Sequence, residues 1–254
     1  MTGIYRLAGR HIQITSLHAS VHALCAGYRD EGAPDFAVET TKADIEYERE
    51  KSAREDERAG IPARRFSDGY LEELAAYRKI AEKAPFYDTL LFHGSALSVD
   101  GAGYLFAAKS GTGKSTHARL WRELLGERAV MVNDDKPLLR VTEGGVTVYG
   151  TPWGGKHRLS ADLAIPLRGI ALLERAAENR IRPITAAEAY PLLLQQSYRP
   201  SDAAALSRAL SLLDRLAALV PLWRLGCNME RPAARLAFDT MRDPISTAYG
   251  KEMT

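Results

Sequence analysis

Between His93 and Asp135 the chain reads HGSALSVDGAGYLFAAKSGTGKSTHARLWRELLGERAVMVNDD, and the middle of this stretch constrains the fold most. Residues 108–115 spell A-K-S-G-T-G-K-S. Ser110, Gly111, Thr112 and Gly113 are small enough for consecutive backbone N–H groups to wrap a polyphosphate. Lys114 can then reach the β- and γ-phosphates, and the Ser115 hydroxyl, with Thr116 after it, lies where Mg²⁺ is held. Such a loop works only where a strand delivers the chain and a helix carries it away. Gly103 to Ala107 form a short apolar run suited to a buried strand. Leu120, Trp121, Leu124 and Leu125 recur at helical spacing, and Gly126 is placed to stop that helix. The helix N-terminus would add its positive dipole end to the phosphate site. A chance Gly/Ser turn is the plain alternative, and the matching flanks on both sides argue against it.

The rest of the chain predicts an α/β protein. Residues 3–15 alternate as a strand or hairpin, Leu17, Val21, Leu24 and Cys25 can face a core from a short helix, and 36–40 read as another strand. Charges of both signs crowd between Glu39 and Arg58, which suits a solvated helix face or a mobile segment. After Gly60-Ile61-Pro62 a helix is expected from Ser67, with Tyr70, Leu71, Leu74, Tyr77 and Ile80 on one side. Asp100-Gly101 between two apolar runs is a hairpin signal. Residues 129–132, 137–141, 146–149, 170–174 and 222–227 read as strands. Thr185 to Glu188 look like a capping box, although Pro191 predicts a short or kinked helix. Leu206, Leu210, Leu213, Leu216 and Leu219 mark an amphipathic helix ended by Pro221, and a last helix after Pro232 precedes a loose tail. We expect residues 1–85 to form a small α/β appendage, suited to substrate or partner binding, and 86–254 to form the catalytic domain.

Composition narrows the classes of function. The 34 basic residues nearly balance 32 acidic ones, giving +2, so charge alone implies no nucleic acid partner. Two cysteines far apart, Cys25 and Cys227, suit a reducing cytoplasm rather than a disulfide scaffold. No apolar run approaches membrane-spanning length, and residues 1–6 lack the apolar core of a signal peptide, so no membrane partner is expected. The six histidines show no H-x-x-x-H spacing, which disfavours zinc. Self-association stays open.

Several side chains outside the loop can carry chemistry. Asp134 and Asp135 end a short strand about twenty residues past the phosphate loop. One carboxylate there can hold Mg²⁺ against phosphates, and the second can take the proton of an attacking hydroxyl. A plain Asn-Asp-Asp turn is the alternative. His93 opens a His-Gly-Ser turn one hairpin before the loop, and can touch a phosphate or the acceptor, or simply end a strand. Lys156 and Arg158 follow Trp153-Gly154-Gly155 and can neutralise charge on a transferring phosphoryl group, or stand as a solvated basic turn.

The order His-Gly, phosphate loop, Asp-Asp at these spacings resembles the HPr serine kinase/phosphorylase catalytic domain, which shares its fold with PEP carboxykinase. The resemblance covers roughly residues 88–160, and Ala108 stands where the usual loop has its first glycine. It implies a PEP carboxykinase/HPr kinase-like P-loop fold with mixed β-sheets, ATP and Mg²⁺ as cofactors, and phosphate-loop roles for Gly111, Gly113, Lys114 and Ser115. It implies one of Asp134 and Asp135 near the metal, the other near the acceptor hydroxyl, and a site role for His93. The segment YGTPWGGKHR is more similar to divergent HPr kinase-like proteins that act on peptides or small molecules. The expected function is therefore an ATP- and Mg²⁺-dependent kinase acting on a hydroxyl, either a serine of a peptide or small protein or a small molecule. A nucleotide-binding regulatory or partner-binding module is the alternative. PEP carboxykinase activity is less expected, because no segment matches that enzyme's substrate-binding half.

Overall fold

Alternating residues at the start of the chain pair as an antiparallel hairpin, β1 (Thr2–Leu7) and β2 (Arg10–Thr15), in register from Thr2↔Thr15 to Leu7↔Arg10. The structure, a computed structural model, describes residues 1–243, so the loose tail expected after the last helix lies outside the described residues. β3 (Phe36–Glu39) joins β2 in parallel to complete a three-stranded sheet. Three helices accompany it, α1 (Ala19–Leu24), α2 (Lys42–Arg58) and α3 (Asp68–Lys83). Ala76, Tyr77, Ile80 and Ala81 of α3 share a core with Tyr5, Leu7, Ile12 and Ile14 of the hairpin.

The charged segment is α2, begun by a capping box between Thr41 and Asp44. Two of its acids are buried rather than solvated. Arg78 Nε donates to Glu48 Oε1 at 2.6 Å, and Arg64 grips Asp56 through its backbone N–H (2.8 Å), Nε (2.9 Å) and Nη2 (2.6 Å). A carboxylate leaves water only where such partners replace it.

A nine-stranded mixed sheet makes up most of the remainder. Its elements are β4 (Thr89–Leu91), β5 (Ser95–Val99), β6 (Ala102–Ala107), α4 (Lys114–Leu125), β7 (Ala129–Asn133), β8 (Leu138–Thr142) and β9 (Gly145–Tyr149). They continue with β10 (Ala164–Arg175), β11 (Arg180–Pro183), α5 (Ala186–Gln196), α6 (Ala203–Leu219), β12 (Leu222–Cys227) and α7 (Arg231–Met241). The long strand β10 ties the sheet together. Its first residues pair antiparallel with β9, and beyond an irregularity at Leu167/Gly169 it runs parallel to both β6 and β12. On one side α5 and α6 cover Leu139, Val148 and Ile170; on the other α4 and α7 cover Phe106, Leu173 and Leu225 around Trp121 and Phe238. The core of residues 1–85 also takes in Leu91, Leu138 and Trp153, so apolar packing is continuous between the two parts.

Three expected core positions face water. Leu17 is 50% exposed because it precedes α1, so helical spacing does not govern it. Tyr70, in the first turn of α3, is 42% exposed. Leu219 is 45% exposed, while Ala205, Ala209, Leu212, Leu213 and Leu216 form the buried face of α6. A run of three-residue steps falls about 60° short of a full turn each time, so a stripe read that way drifts off the core. β11 was not anticipated; its sequence RIRP has one apolar residue before its proline, and it is an exposed edge strand paired with β12.

Candidate active site

β6 ends at Ala107 and α4 begins at Lys114, so residues 108–113 form the connecting loop at the C-terminal end of a strand flanked by parallel β10. That edge is where open α/β sheets place ligands. Gly111 and Gly113 have φ of +76° and +118°, and Gly113 is the helix N-cap in a left-handed conformation that side chains resist. The buried Lys114 folds back so that Nζ donates to Ala108 O at 3.0 Å. Burial pushes its ammonium below the ordinary range, while Asp135 and Asp134 pull the other way. Arg175, at the end of β10, pins the loop by donating Nη2 to Gly111 O at 2.6 Å. Ser110 and Ser115 are exposed, and Thr112 and Thr116 are half-buried.

The acid turn is built by Asn133. Its fully buried side chain accepts from the N–H groups of Asp135 (2.9 Å) and Lys136 (2.7 Å), and donates to Thr151 Oγ1 at 2.9 Å. An Asn that caps its own following backbone in this way fixes a sharp turn. Asp134 Oδ1 accepts from Ser95 Oγ at 2.6 Å, and Asp135 Oδ1 lies 3.6 Å from His93 Nε2. The backbone interlocks as well, with Gly94 N–H donating to Asp135 O at 3.0 Å. Because β5 is antiparallel to both β6 and β7, the start of β5 and the ends of the other two meet at one edge. Thus His93, Lys114, Asp134 and Asp135 are brought together. Burial, and then the nearby Lys114 charge, push the His93 imidazolium below its ordinary range, against the pull of Asp135.

Helix α3 braces this turn from behind. Tyr77 stacks face to face on Trp153, centroids 4.0 Å apart, and its hydroxyl donates to Lys136 O. Trp153 Nε1 donates to Glu73 O at 2.9 Å. Within the loop 150–158, a Cβ on Gly150 would collide with Ala161 O, and one on Gly155 would come within 2.8 Å of Asp135 Cβ. The loop therefore lies against the acid turn, but Lys156, His157 and Arg158 are exposed. Burial raises the Glu73 carboxyl above its ordinary range, and the nearby Arg158 offsets part of that rise. No hydrogen bond or ion pair joins Lys156 or Arg158 to the phosphate loop among the described residues.

Two cavities lie nearby, the first beside the loop and the second beside His93. One of about 520 Å³ is lined by Thr112, Gly113, Thr116, His117, Leu120 and Met229, among others. The second, about 600 Å³, lies on the acid side, with His93, Lys136 and Gln196 facing Arg64, Phe66 and Tyr70 from residues 1–85. His117 is structural in its contacts: Trp121 Nε1 donates to its Nε2 at 3.1 Å, and burial lowers its pKa to about 4.

Among the described residues no three His, Cys, Asp or Glu side chains cluster closely enough to hold a metal alone. Magnesium shared with phosphates asks for less, one or two carboxylates and several waters, and the oxygens of Ser115, Asp134 and Asp135 fit that chemistry. Sequence reading missed Asn133, Ser95, Gln196 and Arg175. Asn133 and Ser95 lie inside the motifs, where an Asx-turn reading was within reach; Gln196 and Arg175 arrive through the tertiary fold, and no local pattern marks them.

No protein-family profile matches the chain, and no curated protein matches it significantly. A solved structure that it resembles is the Hpr(Ser) kinase/phosphatase from Coxiella burnetii, with 11% identity and a TM-score of 0.34, over 59% of this chain and 95% of that one. Among the described residues no helix is long and apolar enough to cross a membrane.

Proposed function

We propose that the protein is an ATP- and Mg²⁺-dependent kinase, of the P-loop type seen in HPr kinase-like proteins, that phosphorylates a hydroxyl. The observation that carries this reading is the meeting, at one sheet edge, of a glycine-bent loop with a buried lysine and a rigid Asp-Asp turn. A protein that only held nucleotide would have no need of two carboxylates, a histidine and a second cavity on the far side of the loop lysine.

In this reading the loop amides and Lys114 bind the phosphates, and Ser115 with Asp134 holds Mg²⁺, which supplies charge neutralisation for the phosphates. The base of the nucleotide takes the cavity beside Thr116, His117 and Met229, and the acceptor takes the cavity beside His93 and Lys136. Asp135, which lies 3.6 Å from the His93 that lines this cavity, orients the acceptor hydroxyl and takes its proton. The acceptor oxygen bonds to the γ-phosphorus, the bond from that phosphorus to the β–γ bridging oxygen breaks, and ADP leaves with the electron pair. Lys114 balances charge on the moving phosphoryl group, joined by Lys156 or Arg158 if their glycine-rich loop closes. Positioning and electrostatics do most of the work in such transfers. Residues 86–254 would then carry the chemistry, and 1–85 would brace the acid turn and wall the acceptor cavity.

Lys114→Ala and Asp134→Asn test the assignment. Each is expected to lower transfer to a serine peptide or small alcohol by about 10³-fold or more, with an unchanged circular dichroism spectrum. Full activity in either folded variant would defeat it.

A further inference from the structure

Gln196 is the last residue of α5, 88 positions beyond the first residue of the phosphate loop, yet its side chain is buried at 5% exposure between that loop and His93. One end of its carboxamide lies 3.1 Å from Ala108 O, 3.2 Å from His93 O and 3.0 Å from His93 Nδ1. Two of those neighbours are carbonyl oxygens, which only accept, so the amide atom facing them is the nitrogen. An amide oxygen there would favour the charged ring, but it would face two other oxygens. The amide nitrogen can only donate. A proton on His93 Nδ1 would confront it donor to donor at 3.0 Å, so Nδ1 is the bare, accepting nitrogen. The backbone reinforces the pairing, since His93 N–H donates to Gln196 O at 2.7 Å. Ala108 O also accepts from Lys114 Nζ at 3.0 Å, so one carbonyl links the glutamine to the loop lysine.

We infer that Gln196 is a positioning residue that locks His93 in the neutral tautomer with its proton on Nε2, aimed at Asp135. The catalytic part of this inference rests on the kinase reading, while the tautomer itself does not. Nε2 already carries hydrogen and Nδ1 is covered, so His93 cannot take the acceptor's proton. Its Nε2–H faces Asp135 at 3.6 Å and can donate to a phosphoryl oxygen entering beside it, and the acceptor's proton goes to a carboxylate. The charged and titratable groups around the ring are Lys114 from α4, and Asp135 and Lys136 from the acid turn. Protonating the ring would force Gln196 to turn and would break its bond to Ala108 O.

Long-range ¹H–¹⁵N correlation spectra of the full-length protein, with the His93 signals assigned by their loss in His93→Gln, read the tautomer directly. The expected wild-type pattern is Nε2–H. Gln196→Glu puts an acceptor opposite Nδ1, and should move the proton to that nitrogen. Gln196→Met, close in size and unable to hydrogen-bond, guards against misfolding of the glutamate variant; it should give mixed tautomers, with KM for ATP within about twofold of wild type. Nδ1–H in the wild type would overturn the inference. So would an unchanged Nε2–H pattern in both variants. If the tautomer is as inferred and yet no acceptor is phosphorylated, the kinase reading fails and the locking role of Gln196 stands.

Discussion

Two histidines bracket the phosphate loop, His117 buried and His93 with its side chain 38% exposed, and they keep different company. Among the described residues the His117 ring, on α4, has Trp121 as its hydrogen-bond partner, Phe106 edge-on and no partner at Nδ1. His93 sits at the start of β5 among Gln196, Asp135, Lys136 and Lys114. Burial lowers the basicity of both. Only the second is surrounded by groups that can pass a proton or hold an anion. The contrast teaches that a depressed histidine is not in itself a mark of chemistry, and that its neighbours decide. It also gives the loop two unlike sides, an apolar one around His117 and a polar, hydrogen-bonded one around His93.

Replacing each side in turn should sharpen that difference. His93→Ala removes a hydrogen-bond donor from the polar side and is expected to lower the transfer rate by about 10²-fold, with little change in KM for ATP. Because burial depresses its pKa, neutral His93 should persist to below pH 6.5, and the acid limb of the wild-type profile should lie under that value. An acid limb above it would argue against a depressed His93 ring. On the other side, Met229→Trp fills the cavity near Gly113, and should raise KM for ATP by about tenfold while kcat changes little. A fall in kcat with unaltered KM would place the base elsewhere.

A separate effect concerns stability. His117 has its folded pKa lowered from 6.5 to about 4, so the unfolded chain takes up a proton that the folded chain refuses in that interval. Stability should therefore decline as the pH falls from 6.5 towards 4 and level off below it, by on the order of 3 kcal/mol from this residue. Denaturant titrations across this range should show a flatter curve for His117→Gln, which keeps an acceptor for Trp121. An equal slope in both proteins would show that the ring is not held neutral.

The polar side was partly legible in the sequence because its chemistry is local. A strand, Gly111, Gly113, Lys114 and Ser115, and a following helix with Gly126 at its end are contiguous, and each residue type has a backbone or phosphate role that spacing reveals. His93 and the Asp134–Asp135 pair belong to the same run of chain. What escaped is what the fold imports. Gln196 reaches His93 only because α5 ends against β4 and β5. Tyr77 and Trp153 stack across 76 positions of sequence, so nothing local could show that α3 braces the acid turn. Leu219 and Leu17 show the opposite failure, in which apolar spacing was extended past the point where the helix faces the core. Lys156 and Arg158 were picked out by charge and a flexible setting, and their exposure leaves any contact with phosphates to a movement of the loop.

The central claim is phosphoryl transfer rather than nucleotide binding alone, and ³¹P NMR of the protein with Mg²⁺-ATP tests it most directly. Spectra would be taken with and without serine-containing peptides, free serine and other small alcohols, for the wild type and Asp134→Asn. The account predicts a new phosphomonoester signal that requires both an acceptor and Asp134. ATP that binds yet stays intact with every acceptor, or a phosphomonoester formed equally well by Asp134→Asn, would contradict it.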